Sequence, residues 1–181
     1  IAFNTGDGVE INSGSGHMVR GNQIFSNGGL GIDLVGSNGV NLNDANDADT
    51  GANQLQNFPV ITNVTVGTPT IIVGTFNSSP NATFTLDFYA SAVVDATSFG
   101  EGQRYLGSQI VTTDVGGNSV FSVSLATTRP GEWATATATD SSGNTSEFSR
   151  AVQLGVFNPG LVALSSTNLV VLRVGDGLQT L

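Results

Sequence analysis

A polar stretch in the first third of the chain carries the residues best suited to chemistry. The run NLNDANDADTGAN places three carboxylates, those of Asp44, Asp47 and Asp49, within six positions. Calcium binds several carboxylate and amide oxygens on a flexible loop, and Gly51 and Asn53 supply a turn and a further oxygen. The spacing therefore predicts a candidate calcium site. Its ligands would be Asp44, Asp47, Asp49 and Asn53. The alternative is a solvated connector whose Asp and Asn side chains cap turns.

The composition excludes several classes of partner. The chain has 181 residues, no cysteine, and five basic against fourteen acidic residues, which gives a net charge of −9. Nucleic acids and anionic membranes attract basic surfaces, so neither is expected as a partner. No apolar run is long enough to span a membrane. Without cysteine there is no disulfide and no thiolate metal site, and no cofactor other than calcium is predicted.

Two segments near the N-terminus are similar to each other, which indicates a repeat. The runs AFNTGDGVEI and IFSNGGLGIDL are offset by about 22 residues, a length that suits one coil of a solenoid. In this alignment Val9 falls on Ile32 and Ile11 on Leu34, so like side chains of successive coils form an apolar column. The repeat predicts a parallel β-helix. So short a stack is not stable alone, and we expect further coils upstream.

The same alignment places two acids, Glu10 and Asp33, at one position of adjacent coils. Neighbouring strands lie ~4.8 Å apart, so both carboxylates would face outward side by side. Retaining glycosidases hold two carboxyl groups about 5 Å apart, which makes this pair a candidate for glycosidic chemistry. Such sites need basic or aromatic neighbours, and the sequence offers only His17 and Arg20 nearby. We interpret the pair as exposed acids on strands and predict no catalytic residue.

The pattern changes after residue 57. The runs PVITNVTV, TIIVGTFN, ATFTLDFYAS, YLGSQIVTTD, SVFSVSL and EWATATATD alternate apolar and polar residues between Gly, Pro, Asn or Asp turns. Phe84, Leu86 and Phe88 share one face, and we expect the threonines of WATATAT to form the solvent face of their strand. Closely spaced short strands of this kind predict an antiparallel β-sandwich.

These motifs resemble an arrangement found in bacterial extracellular proteins. The repeat resembles the coils of right-handed parallel β-helices, and the run from FTLDFYAS to ATATDSSGNTSEFS resembles the immunoglobulin-like module that follows them. The acidic stretch is similar to the joint between the two parts. The resemblance implies an all-β chain with terminal β-helix coils and the acidic joint in residues 1–57. An immunoglobulin-like antiparallel β-sandwich in 58–155 and, in 156–181, a linker with the first strand of a truncated domain would follow.

The apolar run in residues 169–174, LVVLRV, has no strand partner in the sequence pattern. We expect it to begin the following domain. The alternative is that it pairs with a free sheet edge of this or another molecule, and so mediates self-association.

The absence of a convergent catalytic set, together with the resemblance, predicts a non-catalytic structural or adhesive segment. It would be a rigid stalk or display module of a secreted or cell-surface bacterial protein, with polysaccharides or other surface proteins as partners. One alternative is the C-terminal part of a β-helix carbohydrate-active enzyme, a polysaccharide lyase or glycosidase with its catalytic coils upstream. Another is a self-assembling extracellular fibre subunit that uses a donated strand.

Overall fold

The described part of the chain is all-β. The computed structural model describes residues 1–35 and 39–155, and within them it has three sheets, one 3₁₀ turn at Ala52–Leu55 and no α-helix. The strands are β1 Val9–Ile11, β2 Ile32–Leu34, β3 Val60–Thr65, β4 Thr70–Asn77, β5 Thr83–Ser91, β6 Arg104–Thr112, β7 Asn118–Leu125, β8 Trp133–Asp140 and β9 Val152–Gln153.

Residues 1–35, which we call the coil segment, contain the parallel pair β1–β2. Val9 pairs with Ile32, Glu10 with Asp33 and Ile11 with Leu34, the register that the repeat predicts. The inward side chains are apolar, and Leu34 is completely buried. This parallel pairing of like residues is what a coil repeat requires, because each coil must present the same side chain to the next.

Residues 60 to 153 form two antiparallel sheets that pack face to face. One sheet has the order β3-β4-β7 and the other β6-β5-β8-β9. The core between them contains Phe84, Leu86 and Phe88 of β5, as the alternation predicts, together with Ile72 and Phe121 from the opposite sheet. The arrangement is sandwich-like, because each sheet buries one face against the other.

Strands β5 and β8 of the four-stranded sheet are largely buried on both faces, which corrects one expectation. Thr135, Thr137 and Thr139 of β8 are buried, although we expected them to face solvent. The coil segment covers this second face, where Tyr89 of β5 and Phe148 join the apolar cluster of the coils. Strands β5 and β8 therefore form a middle layer, and on the covered face Thr135 donates to the Glu101 carbonyl and Thr139 bonds to Thr145.

The glycine- and asparagine-rich runs DVGGNS and DSSGNTS are turns, each organised by its first residue. The Asp114 carboxylate accepts hydrogen bonds from the N–H groups of Gly116 and Asn118, and that of Asp140 accepts from Ser142 and Asn144. An aspartate that accepts backbone bonds from residues just ahead fixes such a turn.

The predictions for the C-terminal residues cannot be compared with the structure. The linker and strand in residues 156–181, and the self-association through 169–174, lie outside the described residues. Within the described ranges, no helix is long and apolar enough to cross a membrane.

Candidate functional site

The acidic loop, residues 41–57, brings three of the four predicted ligands together. One carboxylate oxygen from each of Asp44, Asp47 and Asp49 lies within 4.8 Å of the other two. Asn46 and Asp47 have positive φ angles of 61° and 57°, which turn the chain back on itself at the centre of the loop. Asparagine and aspartate tolerate this conformation better than most residues, so the sequence explains the turn.

Asp47 connects the loop to the sandwich. Its Oδ1 accepts a hydrogen bond from the Asn57 N–H at 2.8 Å, and its Oδ2 accepts from Gln56 Nε2 and from Ser78 Oγ, both at 2.7 Å. Burial is the main cause that raises the pKa of the Asp47 carboxyl to about 6. The hydrogen bonds from Ser78 and Asn57 lower this pKa, and the negative charge of Asp49 raises it. This carboxylate is a structural acceptor for three donors.

Asparagine side chains complete the attachment of the loop. Asn57 Oδ1 accepts from the Asp44 N–H, and its Nδ2 donates to the Asp44 and Asn77 carbonyl groups. Asn43 and Phe58 exchange two further bonds through the Asn43 amide and the Phe58 backbone. Both carboxylate oxygens of Asp44 accept from the Ala48 N–H. The loop is therefore bonded internally and to β4.

Asp49 differs from the other two carboxylates. Its Oδ1 is buried and has no hydrogen-bond partner in the described residues. Burial, and next the negative charge of Asp44, raise the pKa of Asp49. A cavity of about 220 Å³ lies beside it, and Asp47 and Asp140 also line this cavity. Clustered oxygens beside a small cavity have the chemistry of a cation site, since divalent cations prefer oxygen ligands.

Asn53, the fourth predicted ligand, is bonded elsewhere. It is completely buried, its Oδ1 accepts from the His17 N–H, and its Nδ2 donates to the carbonyl groups of His17 and Thr145. Its side chain holds the coil segment against the segment that follows β8. The structure does not bring this amide into the hydrogen-bond network of the three aspartates.

Three buried acids that the sequence analysis missed lie at the interface between the coil segment and the four-stranded sheet. Asp87 of β5 pairs with Arg20 through contacts of 2.6 and 3.0 Å, and Tyr105 Oη donates to it at 3.1 Å. Glu101 accepts from Asn27 Nδ2 at 2.7 Å. Asp87 lies on the β5 face opposite Leu86 and Phe88, and the alternation in TFTLDFYA does not reveal that this second face is buried as well.

Glu147 is the third buried acid of this interface. Its carboxylate accepts from the Leu34 N–H at 3.0 Å and from the backbone and side-chain nitrogens of Asn41, both at 2.9 Å. Burial raises the pKa of Glu147 to about 7, although the hydrogen bonds from Leu34 and Asn41 lower it. The acid therefore sits where the end of the coil segment meets the sandwich.

The candidate glycosidic pair lies side by side, as the register predicts, but its basic neighbours are engaged. Glu10 is directly opposite Asp33, and Asp33 has a raised pKa because of burial and, after that, the charges of Asp7 and Glu10. Arg20 is bound to Asp87, and His17 Nε2 lies 3.1 Å from the Ser13 carbonyl. A groove of about 580 Å³ runs beside β1, between Glu10 and His17. The groove brings no free arginine to the acids.

No protein-family model matches the chain, and no curated protein is similar to it in sequence.

Proposed function

We propose that the chain is a non-catalytic structural or adhesive segment of a secreted or cell-surface protein. In this proposal the terminal coils of a right-handed parallel β-helix are attached to an immunoglobulin-like sandwich. The segment holds a stiff geometry and presents its surface to polysaccharides or to other surface proteins. The observation that carries the proposal is the polar interface between the coil segment and the four-stranded sheet.

The acids at that interface act as structural acceptors. Asp87, Glu101 and Glu147 are all buried, and each accepts hydrogen bonds from the coil segment or from the residues just after it. A general acid or base must reach a substrate proton, and these groups instead face donors of the chain itself. A buried and satisfied network of this kind favours one fixed arrangement of the two parts.

The rival function is the tail of a carbohydrate-active enzyme, and one observation favours it. Glu10 and Asp33 are neighbours on the surface of the β1–β2 pair, and Asp33 has a raised pKa, as a general acid requires. Against this, Arg20 is committed to Asp87 and cannot neutralise an acidic sugar at the pair.

A degradation assay decides between the two functions. The full chain is incubated with neutral and acidic polysaccharides, and both reducing ends and unsaturated sugar ends are measured. We expect no release above that of a Glu10→Gln/Asp33→Asn variant. Release that this variant lacks would overturn the structural function.

Stiffness can be measured directly by pulling the chain from its two ends. We expect the coil segment and the sandwich to unfold in one event, because they share the apolar cluster of Ile32, Leu34, Tyr89 and Phe148. Separate events for the coil segment and the sheets would contradict the proposed attachment. Retention on immobilised polysaccharides, measured in parallel, tests the adhesive part of the proposal.

A further inference from the structure

The outer edge of β7 has no strand partner in the described part of the chain, since β7 is the last strand in the order β3-β4-β7. The turn before β7 fixes the direction of its backbone groups. The Gly117 carbonyl accepts from the Ser78 N–H on the β4 side, and the next carbonyl, that of Asn118, accepts from Asp114 on the other side. The direction alternates along a strand.

Continuing this alternation places the backbone N–H and C=O groups of Val120, Ser122 and Ser124 on the outer edge. All three side chains are exposed, and Val120 has 80% of its surface accessible. Within the described ranges no backbone hydrogen bond involves these outward groups. A row of unpaired backbone donors and acceptors is a template for another strand.

The other edges of the two sandwich sheets are protected in ways that β7 is not. β3 has a bulge between Ile61 and Asn63, and β6 has one where its pairing with β5 shifts after Phe88. β9 is only two residues long. Bulges and short strands are the usual means by which proteins prevent edge pairing.

β7 combines features that favour pairing. It runs in unbroken register with β4 over eight residue pairs, and its sequence NSVFSVSL contains no charged residue and no proline. Its apolar side chains Phe121, Val123 and Leu125 are buried in the core, which holds the strand in place. A regular, uncharged edge of this length is a site for strand addition.

We propose that β7 is a self-association edge that pairs antiparallel with β7 of a second copy of this chain. The two-fold register places Ser122 opposite Ser122 of the second copy and Val120 opposite Ser124. The two three-stranded sheets then become one continuous sheet. A two-fold contact of one surface with itself is the commonest form of protein oligomer.

The absence of charge on the β7 edge favours an identical strand as its occupant. Each chain has a net charge of −9, so most encounters between copies bring acids together. The β7 edge is uncharged, and in this register no two like charges lie opposite each other across the contact. A strand from a charged partner would gain no ion pair here, whereas an identical strand matches the row of small and β-branched residues. The inference holds whether or not the proposed function is correct.

Cysteine cross-linking tests the register. The chain has no cysteine, so Ser122→Cys introduces a single thiol that would meet its own copy across the contact. Directly opposite residues of a hydrogen-bonded antiparallel pair have Cα atoms ~5.5 Å apart, which a disulfide spans. We expect mild oxidation to give a cross-linked dimer. The matched control, Thr75→Cys, has an exposed thiol on the same sheet face but on the inner strand β4, and we expect it to stay monomeric.

Mass measurement in solution tests the association without a cross-link. We expect a dimer whose fraction rises with concentration, and Ser122→Lys should abolish it by placing two cations opposite each other. Thr75→Lys should leave the dimer unchanged and reports on folding. An unmodified chain that stays monomeric, or equal cross-linking of both cysteine variants, would overturn the proposal.

Amide hydrogen exchange distinguishes pairing of β7 with a second copy from pairing with a segment of the same chain. Protection of the Val120, Ser122 and Ser124 amides that grows with protein concentration supports pairing with a second copy. Protection that is complete in a monomer would assign the edge to the chain's own residues and would also overturn the proposal.

Discussion

At the scale of single residues, the buried acids of the chain are bonded mainly by neutral donors and not by cations. It has five basic residues for fourteen acids, so most of its acids cannot have an ion pair. The half-buried Asp47 and the buried Glu101 and Glu147 accept from asparagine, glutamine, serine or backbone donors, whereas Asp87 and Glu132 each have an arginine partner. Such bonds satisfy a buried acid at a lower desolvation cost than bringing in a second charge.

Asp47→Asn should destabilise the joint between the acidic loop and β4. The amide nitrogen that replaces one oxygen cannot accept from Asn57, Gln56 or Ser78, and it leaves at least one buried donor without a partner. We expect the free energy of unfolding to fall by about 1–3 kcal/mol, measured by urea denaturation. Glu10→Gln, at an exposed strand position, is the matched control and should have little effect.

Calcium should change the stability of the chain little. Asp44 and Asp47 already accept hydrogen bonds through both carboxylate oxygens, so a cation gains mainly the free oxygen of Asp49. We expect equal melting temperatures with calcium and with a chelator. A rise with calcium that Asp49→Asn abolishes would show instead that the three carboxylates form a metal site.

At the scale of elements, the decisive contact joins the coil segment to β5. Arg20→Met removes the cation from Asp87, whose carboxylate is completely buried, while it keeps much of the side-chain volume. Breaking such a pair leaves a buried charge and costs roughly 3 kcal/mol, the lower part of the usual range, since Arg20 is partly exposed.

Urea denaturation of Arg20→Met and of the double variant Arg20→Met/Asp87→Asn measures this contact. We expect the double variant to recover part of the lost stability, because the neutral amide tolerates burial better than an unpaired carboxylate. A double variant less stable than Arg20→Met would show that the Asp87 charge is stabilised mainly by Tyr105.

The strands and their core faces were largely predictable from the sequence, but the contacts of the opposite sheet face were not. Alternation in TFTLDFYA identified Phe84, Leu86 and Phe88 as core residues, and the repeat identified the β1–β2 register. Alternation also assigned Thr135, Thr137 and Thr139 to solvent, because a polar residue opposite an apolar face usually lies there. A polar face that is buried has the same sequence pattern as a polar face in solvent. Only the position of the coil segment distinguishes the buried face from an exposed one.

In the acidic loop, too, the sequence predicted local proximity but not long-range contacts. Spacing was sufficient to bring Asp44, Asp47 and Asp49 together, since they lie on one short loop. It could not assign Asn53, whose amide bonds to His17 and Thr145, residues far away in the sequence. Long-range partners of this kind depend on how sheets and coils pack, which residue spacing does not encode.

At the scale of the whole molecule, stability should rise as the pH falls from about 8 to about 5. Burial raises the pKa of Glu147 from 4.5 in the unfolded chain to about 7 in the folded one, and that of Asp47 to about 6. A group with a raised folded pKa binds its proton more tightly when folded. Its stabilising contribution is complete below the unfolded pKa and disappears as the pH rises through the folded pKa.

Thermal melting across this pH range measures the effect. We expect a higher melting temperature near pH 5 than near pH 8, and Glu147→Gln should reduce the difference because it cannot titrate. Ile72→Val, which shortens a completely buried core side chain and leaves every carboxyl in place, is a control that should lower every melting temperature but keep the slope. A melting temperature that rises with pH would contradict the assignment of these groups.

Strands β5 and β8, largely buried on both faces, set the smallest part of this chain that can be moved to another protein. A fragment that begins after the acidic loop would expose Tyr89, Phe148 and the carboxylates of Asp87 and Glu147 together. A transferable fragment must therefore include the coil segment, and recombination or protein engineering that cuts between the coil segment and the sandwich should yield insoluble products.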